Sequence, residues 1–223
     1  MTLHRHDLLR VAPSAWDAML ACHPGLANLP LVADWARLER PVIVRRRMVG
    51  DYADGVPAAL PLPPCFGKKR LAFGFPSGAA AVVAPPVLLR DAVPAAPTSW
   101  HPTLDALLEL GDVSGITPRV FGALLWQHAT ALPYLTARSD LDLLWPVSDE
   151  RTAISLVEGL ARLDAGGPVR LDGELELSDG VAVNWREVAR SFTDPDHELL
   201  VKTMDGVELR TRAQLFRTRM WPA

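Results

Sequence analysis

Long apolar runs are absent from this chain of 223 residues. The most apolar segment, residues 79–89, is interrupted by Pro85 and Pro86 and falls short of the roughly 18 residues that a membrane-spanning helix needs. The first seven residues also lack the apolar core of a secretory signal. We therefore expect a cytoplasmic protein without a membrane partner.

Cysteine is equally scarce, since Cys22 and Cys65 are the only two and their spacing matches no redox or zinc motif. The sequence shows no Ser–His–Asp pattern and no zinc-ligand spacing. Its net charge is only −3, which gives no overall electrostatic case for a nucleic-acid partner. These absences exclude a disulfide-stabilised secreted domain, and they direct attention to carboxylates.

The most informative pattern is the run from Arg138 to Trp145, in which Asp140 and Asp142 interrupt an apolar, strand-like segment. On a strand, residues two apart project from the same face. The two carboxylates would therefore lie side by side and repel unless a cation sits between them. Oxygen ligands at this spacing suit Mg²⁺, which commonly takes one or two carboxylates plus substrate phosphates. The pattern predicts a metal pair for phosphoryl transfer.

Two further features surround this pair. Gly122 and Ala123 follow a short strand and begin a helix, so free backbone N–H groups there could bind a phosphate. The next strand carries Asp172, Glu174 and Glu176 on one face by the same period-two rule. We expect Asp172 or its close rival Glu174 to supply a third carboxylate, acting as a base or completing a second metal site.

Helical and strand-like patterns alternate in the second part of the chain. Strands are predicted at 119–121, 140–147, 169–177 and 181–188, and helices at 104–110, 124–132 and 149–163. The first part has strand-like runs at 41–47, 70–75 and 80–83, with one helix at 13–21. A proline-rich segment at 84–102 separates the two parts. The sequence therefore predicts an α+β fold, with a β-rich N-terminal domain at 1–95 and a catalytic domain at 100–223.

Basic residues cluster at Arg45–Arg47 and at Lys68–Arg70. Two interpretations stay open for each cluster: a charged edge that blocks strand pairing, or a surface for phosphates or an acidic protein. In the second interpretation Arg45, Arg47, Lys68 and Lys69 bind substrate. His6, beside Asp7, is the first alternative base if the site has only two carboxylates.

The order of strand, glycine turn, helix, Asp-x-Asp strand and acidic strand resembles the nucleotidyltransferase superfamily of the DNA polymerase beta type, although that superfamily usually has Gly-Ser or Gly-Gly where this chain has Gly122-Ala123. A narrower resemblance is carried by Arg5–Leu9, Val44–Arg47, Leu60–Pro64 with Gly67-Lys68, Ser139–Trp145, Asp172–Glu174 and Val183–Glu187. Together these segments are similar to malonate decarboxylase holo-acyl-carrier-protein synthases, also called phosphoribosyl-dephospho-CoA transferases.

The resemblance implies a nucleotidyltransferase-like mixed sheet with packed helices in the C-terminal domain. The N-terminal domain would cover the donor or the carrier protein. The implied donor is 2′-(5″-triphosphoribosyl)-3′-dephospho-CoA, and the implied acceptor is a serine of the acyl carrier protein of malonate decarboxylase. Transfer would release pyrophosphate and would use Mg²⁺ held by Asp140 and Asp142. Two alternatives remain: transfer to another protein, a small molecule or an RNA end, and a carrier-protein adaptor without catalysis.

Overall fold

The computed structural model of the chain describes residues 3–29, 31–51, 54–194 and 196–217, and only the backbone of residues 80–82. The strands are β1 (Leu8–Val11), β2 (Val42–Val44), β3 (Val56–Pro61), β4 (Arg70–Phe75), β5 (Ala80–Ala84), β6 (Arg119–Val120), β7 (Leu141–Val147), β8 (Leu171–Leu177), β9 (Ala182–Asn184), β10 (Leu199–Lys202) and β11 (Val207–Arg210). The helices are α1 (Pro13–Cys22), α2 (Pro24–Ala27), α3 (Leu89–Ala92), α4 (His101–Ser114), α5 (Gly122–Thr130), α6 (Glu150–Gly166), α7 (Trp185–Arg190) and α8 (Arg212–Leu215). The predicted α+β class is confirmed.

The chain forms two units, and each unit is assembled from three separate segments of the chain. Unit 1 comprises Met1–Pro86, Ala123–Arg138 and Met204–Gly206. Unit 2 comprises Val87–Gly122, Ser139–Thr203 and Val207–Ala223. The chain therefore passes between the units five times, and each unit contains segments that are distant in sequence.

Unit 1 is built on a five-stranded antiparallel sheet with the strand order β4-β3-β2-β1-β5. Its core contains Trp16, Trp35 and Trp126, and the first two donate their indole N–H groups to backbone carbonyls inside the unit. Trp16 donates to the carbonyl of Val32 at 2.8 Å, and Trp35 donates to that of Pro41 at 2.9 Å. Satisfying these donors allows both large rings to be fully buried without the cost of an unpaired polar group.

Unit 2 is built on a six-stranded sheet with the order β11-β10-β9-β8-β7-β6. β7 and β8 are parallel, whereas the other neighbouring pairs are antiparallel. A parallel pair needs a long crossover, and α6 supplies it. Asp149 begins this helix by accepting the N–H of Thr152 at 2.9 Å. Its apolar side packs on β7 and β8, with the buried residues Ala153, Leu156, Val157 and Leu160.

Two predicted strands are wrong in their second halves, since the run at 41–47 is a strand only at Val42–Val44. The segment 181–188 continues as a strand only to Asn184, and α7 begins at Trp185. The side-chain oxygen of Asn184 accepts the N–H of Arg186 at 2.9 Å, which stabilises the first turn of the helix.

In the described ranges, no helix is both long enough and apolar enough to cross a membrane.

Candidate active site

The pairing of β7 with β8 brings two predicted site residues together. Asp142 lies directly opposite Asp172, and Leu144 lies opposite Glu174 two positions further along. Side chains at paired positions share a face, and neighbouring strands are about 4.8 Å apart. Like charges opposite one another destabilise a sheet. The Asp142–Asp172 pair therefore has the oxygen chemistry and the charge that a divalent cation would balance.

The backbone of Gly122 lies directly beside the carboxylate of Asp142. Its φ is +63°, and a Cβ built on it would lie 1.8 Å from Oδ2 of Asp142. The preceding residue, Phe121, donates its N–H to the carbonyl of Asp142 at 3.1 Å. Only glycine leaves room for the carboxylate at the beginning of α5. The following residue, Ala123, packs its methyl group against the core of unit 1.

Asp140 occupies a more open position, one residue before β7 begins. Its Oδ2 accepts a hydrogen bond from Nη1 of Arg170 at 2.9 Å, and its side chain is 34% exposed. Exposed ion pairs of this kind contribute little to stability, about 1 kcal/mol or less. Arg170 can therefore release Asp140 at small cost when a ligand competes for the carboxylate.

Asp172 is held by one oxygen. Its Oδ1 accepts hydrogen bonds from the backbone N–H of Gly173 and from Nδ2 of Asn184, both at 2.8 Å. Gly173 itself has a φ of +140°, and a Cβ there would lie 2.0 Å from the carbonyl oxygen of Leu143. The absence of a side chain at residue 173 therefore permits the close approach of β8 to β7 beside Asp142.

Glu174 has a different environment, since only 3% of the residue is exposed. Nζ of Lys202 donates to its Oε1 at 2.6 Å. A buried carboxylate needs a compensating charge, and Lys202 provides it. The partly buried Glu176 follows two positions later on the same strand. The sequence did not identify Asn184 or Lys202 as partners of these carboxylates, because both contacts depend on the pairing register of neighbouring strands, and Lys202 lies 28 residues from Glu174.

The predicted basic residues have unequal surroundings. All three guanidinium nitrogens of Arg45 donate to backbone carbonyls, and Nη1 and Nη2 also donate to Asp51 at 2.7 and 2.5 Å. This pairing holds the pKa of Asp51 below its usual value. Arg47 donates to the carbonyl of Gly55 at 3.1 Å. Lys68 and Lys69 are exposed in the turn before β4.

The carboxylates are not gathered into a ready-made metal cage. Among the residues that the structure describes, no group of three or more His, Cys, Asp and Glu side chains converges as a metal site. Any cation at Asp142 would therefore depend on ligands from the substrate as well. That dependence is typical of Mg²⁺, which keeps several water or phosphate ligands.

Comparison with known proteins identifies the family. Residues 4–86 match the model of the phosphoribosyl-dephospho-CoA transferase MdcG N-terminal domain, and residues 88–213 match that of the MdcG C-terminal domain. The chain belongs to the phosphoribosyl-dephospho-CoA transferase family. The resemblance seen in the sequence is thereby confirmed, and the chain is a transferase of this family.

Curated relatives of the same name extend over nearly the whole chain. The phosphoribosyl-dephospho-CoA transferase of Bradyrhizobium diazoefficiens is 44% identical over 94% of this chain and 91% of its own length. Those of Xanthomonas euvesicatoria and Xanthomonas campestris are each 37% identical, over 96% of this chain and 97% of their own. No solved structure matches the chain. The nucleotidyltransferase resemblance therefore stays a prediction.

Proposed function

We propose that this transferase works in the cytoplasm and moves the phosphoribosyl-dephospho-CoA group from 2′-(5″-triphosphoribosyl)-3′-dephospho-CoA to a serine of the malonate decarboxylase acyl carrier protein. The observation that carries the proposal is the alignment of Asp142 with Asp172, beside a glycine that leaves the Asp142 carboxylate room. Family membership supports the donor, because phosphoribosyl-dephospho-CoA is in the name of every relative described above.

The carboxylates suit a magnesium-dependent reaction. Asp142 would hold the cation, with Asp140 joining after leaving Arg170, and the donor phosphates would complete its ligands. A bound Mg²⁺ would supply positive charge that offsets the negative charge developing on the departing pyrophosphate. The metal preference is consistent with the donor set, since these side chains offer only oxygen atoms.

Asp172 is the better of the two candidates for the base. Its Oδ1 is occupied by two hydrogen bonds, so Oδ2 is the atom that would take the proton from the serine hydroxyl. The serine oxygen would then bond to the donor phosphorus that loses pyrophosphate. Glu174 suits this role less well. It is buried and paired with Lys202, which stabilises its charged form and so makes it a weaker proton acceptor.

Intact-mass spectrometry of the carrier protein tests the proposal directly. Purified carrier protein, the triphosphoribosyl donor and Mg²⁺ should give a mass increase equal to the phosphoribosyl-dephospho-CoA group, together with one pyrophosphate per modified carrier. A carrier variant with its acceptor serine changed to alanine is the control. An unmodified carrier, alongside transfer to another protein, a small molecule or an RNA end, would contradict the proposed acceptor. The absence of transfer to any of them would favour the adaptor alternative.

The first prediction concerns Gly122. Gly122→Ala should lower kcat about 10- to 100-fold, because the new methyl group must displace the Asp142 carboxylate. Gly115→Ala is the matched control: Gly115 has a φ of +65°, against +63° for Gly122, but nothing lies within 4 Å of a Cβ there. Both variants bear similar backbone strain, about 1–2 kcal/mol. Equal kcat values for the two variants would show that the Asp142 carboxylate does not need its present position.

The second prediction separates the basic residues. Changing Lys68 and Lys69 to alanine should leave stability within about 0.5 kcal/mol, since both are exposed. If they bind donor phosphates, the KM for the donor rises; if they bind the carrier protein, the KM for the carrier rises and becomes less dependent on salt. Arg45→Lys should instead lower the free energy of unfolding by about 1–3 kcal/mol, because the paired hydrogen bonds to Asp51 are lost. Both KM values should stay unchanged in this variant. Unchanged KM values in the lysine variants would show that neither lysine binds the donor or the carrier protein.

A further inference from the structure

We infer that Asn184 is a positioning residue for the transfer reaction, holding Oδ1 of Asp172 so that Oδ2 remains available to the acceptor hydroxyl. The inference rests on the proposed function, in which Asp172 accepts the serine proton. Asn184 belongs to the segment Val183–Glu187, whose role the Asp-x-Asp pattern does not explain.

The amide of Asn184 is used at both ends. Its Nδ2 donates to Oδ1 of Asp172 at 2.8 Å, and its Oδ1 accepts the N–H of Arg186 at 2.9 Å. Turning the amide over would bring an oxygen against the carboxylate and an N–H against another N–H. Only one orientation therefore pairs a donor with an acceptor at each end.

This contact determines which oxygen of Asp172 is available. Oδ1 accepts from Asn184 and from the backbone of Gly173. Within the ranges that the structure describes, Oδ2 of Asp172 accepts no hydrogen bond. Holding one oxygen removes the freedom of the carboxylate to rotate, and the remaining oxygen is pre-oriented for proton transfer.

Several contacts hold the segment that carries Asn184 in place. Asn184 pairs with Glu174 across β9 and β8, so it shares the sheet face of Asp172. The guanidinium of Arg186 lies over the ring of Trp185, at 4.3 Å from its centroid. It also donates to Asp164 and to the carbonyl of Leu171, both at 2.8 Å. The first turn of α7 is thus tied to the residue immediately before Asp172.

Two substitutions separate the positioning contact from the helix cap. Serine and aspartate begin helices as well as asparagine does, so Asn184→Ser and Asn184→Asp should retain the bond to the Arg186 N–H. Neither provides the N–H that Asp172 accepts, and aspartate adds a repelling charge. We expect kcat to fall about 10- to 100-fold in both, more in the aspartate variant, with the donor KM changed less than about twofold. The melting temperature should stay within a few degrees of the wild type.

A double-mutant cycle with Asp172→Asn provides the second readout. If Asn184 acts through Asp172, Asn184→Ser should have less than a twofold effect on the residual rate of the Asp172→Asn enzyme. Asp149→Ala is the structural control, because it removes the cap of α6 and should lower the melting temperature while leaving kcat unchanged.

The outcomes distinguish the inference from the proposed function. If the wild type modifies the carrier serine but both Asn184 variants retain kcat within about twofold, the positioning role is overturned and the proposed function stands. Full effects of Asn184→Ser in the Asp172→Asn background would also overturn it. If the wild type transfers nothing to the carrier, the proposed function fails, and the inference fails with it.

Discussion

Asp142→Asn is expected to lower kcat about 1,000-fold, to near the background of the transfer assay, while the protein remains folded. The substitution preserves side-chain volume but removes the negative charge that lies opposite Asp172. Metal-assisted charge stabilisation contributes several kcal/mol to phosphoryl transfer, and each 1.4 kcal/mol corresponds to about tenfold in rate. Single-turnover measurements at saturating Mg²⁺ and donor provide the rate, and thermal melting provides the check on folding.

Asp105→Asn is a suitable control, since it makes the same chemical change at an exposed position on α4. It should have no measurable effect on kcat. Asp140→Asn should also reduce transfer severely, because the predicted metal pair needs both charges. Near-normal turnover by either the Asp140 or the Asp142 variant would eliminate the metal pair as the catalytic feature of this chain.

Gly173→Ala should destabilise unit 2 by about 4 kcal/mol or more, enough to unfold much of a domain of ordinary stability. Two effects add up at this position. Alanine rarely adopts a φ of +140°, which costs about 1–3 kcal/mol, and its Cβ would lie 2.0 Å from the Leu143 carbonyl oxygen. Relieving that contact requires β7 and β8 to separate. Urea titration followed by tryptophan fluorescence measures the loss.

Gly115→Ala again provides the comparison, because it introduces a positive-φ alanine without a close neighbour. Its unfolding midpoint should fall by much less than that of Gly173→Ala. Coincident midpoints for the two variants would mean that the strands can absorb the extra methyl group. In that case the close approach at residue 173 is not required for the pairing of Asp142 with Asp172.

Local patterns in the sequence were sufficient for two of the long elements of unit 2. The helix predicted at 149–163 is α6, with Asp149 as its N-cap, and the strand predicted at 140–147 is β7. Both have a clear apolar period and a recognisable boundary. The error after Asn184 had a signal available, since asparagine followed three residues later by Glu187 is a common start of a helix. The apolar run Val181–Val183 concealed it.

The site was only partly accessible from the sequence. The period-two rule identified Asp142, Asp172 and Glu174 as candidates, but their mutual alignment depends on the parallel register of β7 and β8. No local pattern specifies that register. The contact of Lys202 with Glu174 spans 28 residues and forms only when β8, β9 and β10 assemble. The different surroundings of Glu174 and Asp172 therefore had to come from the structure.

Unit 1 contains segments that are synthesised far apart in time, and this has a consequence for the order of folding during synthesis. Trp126 and Tyr134 belong to the core of unit 1, where Tyr134 donates to the carbonyl of Pro61, 73 residues earlier in the chain. The first 86 residues therefore leave the ribosome before their own core is complete. Domains that emerge first usually fold first, but here the N-terminal unit has to wait for residues 123–138. A fragment ending at residue 86 should expose the ring of Trp35 and aggregate, although the whole match to the N-terminal domain of the family, residues 4–86, lies within it.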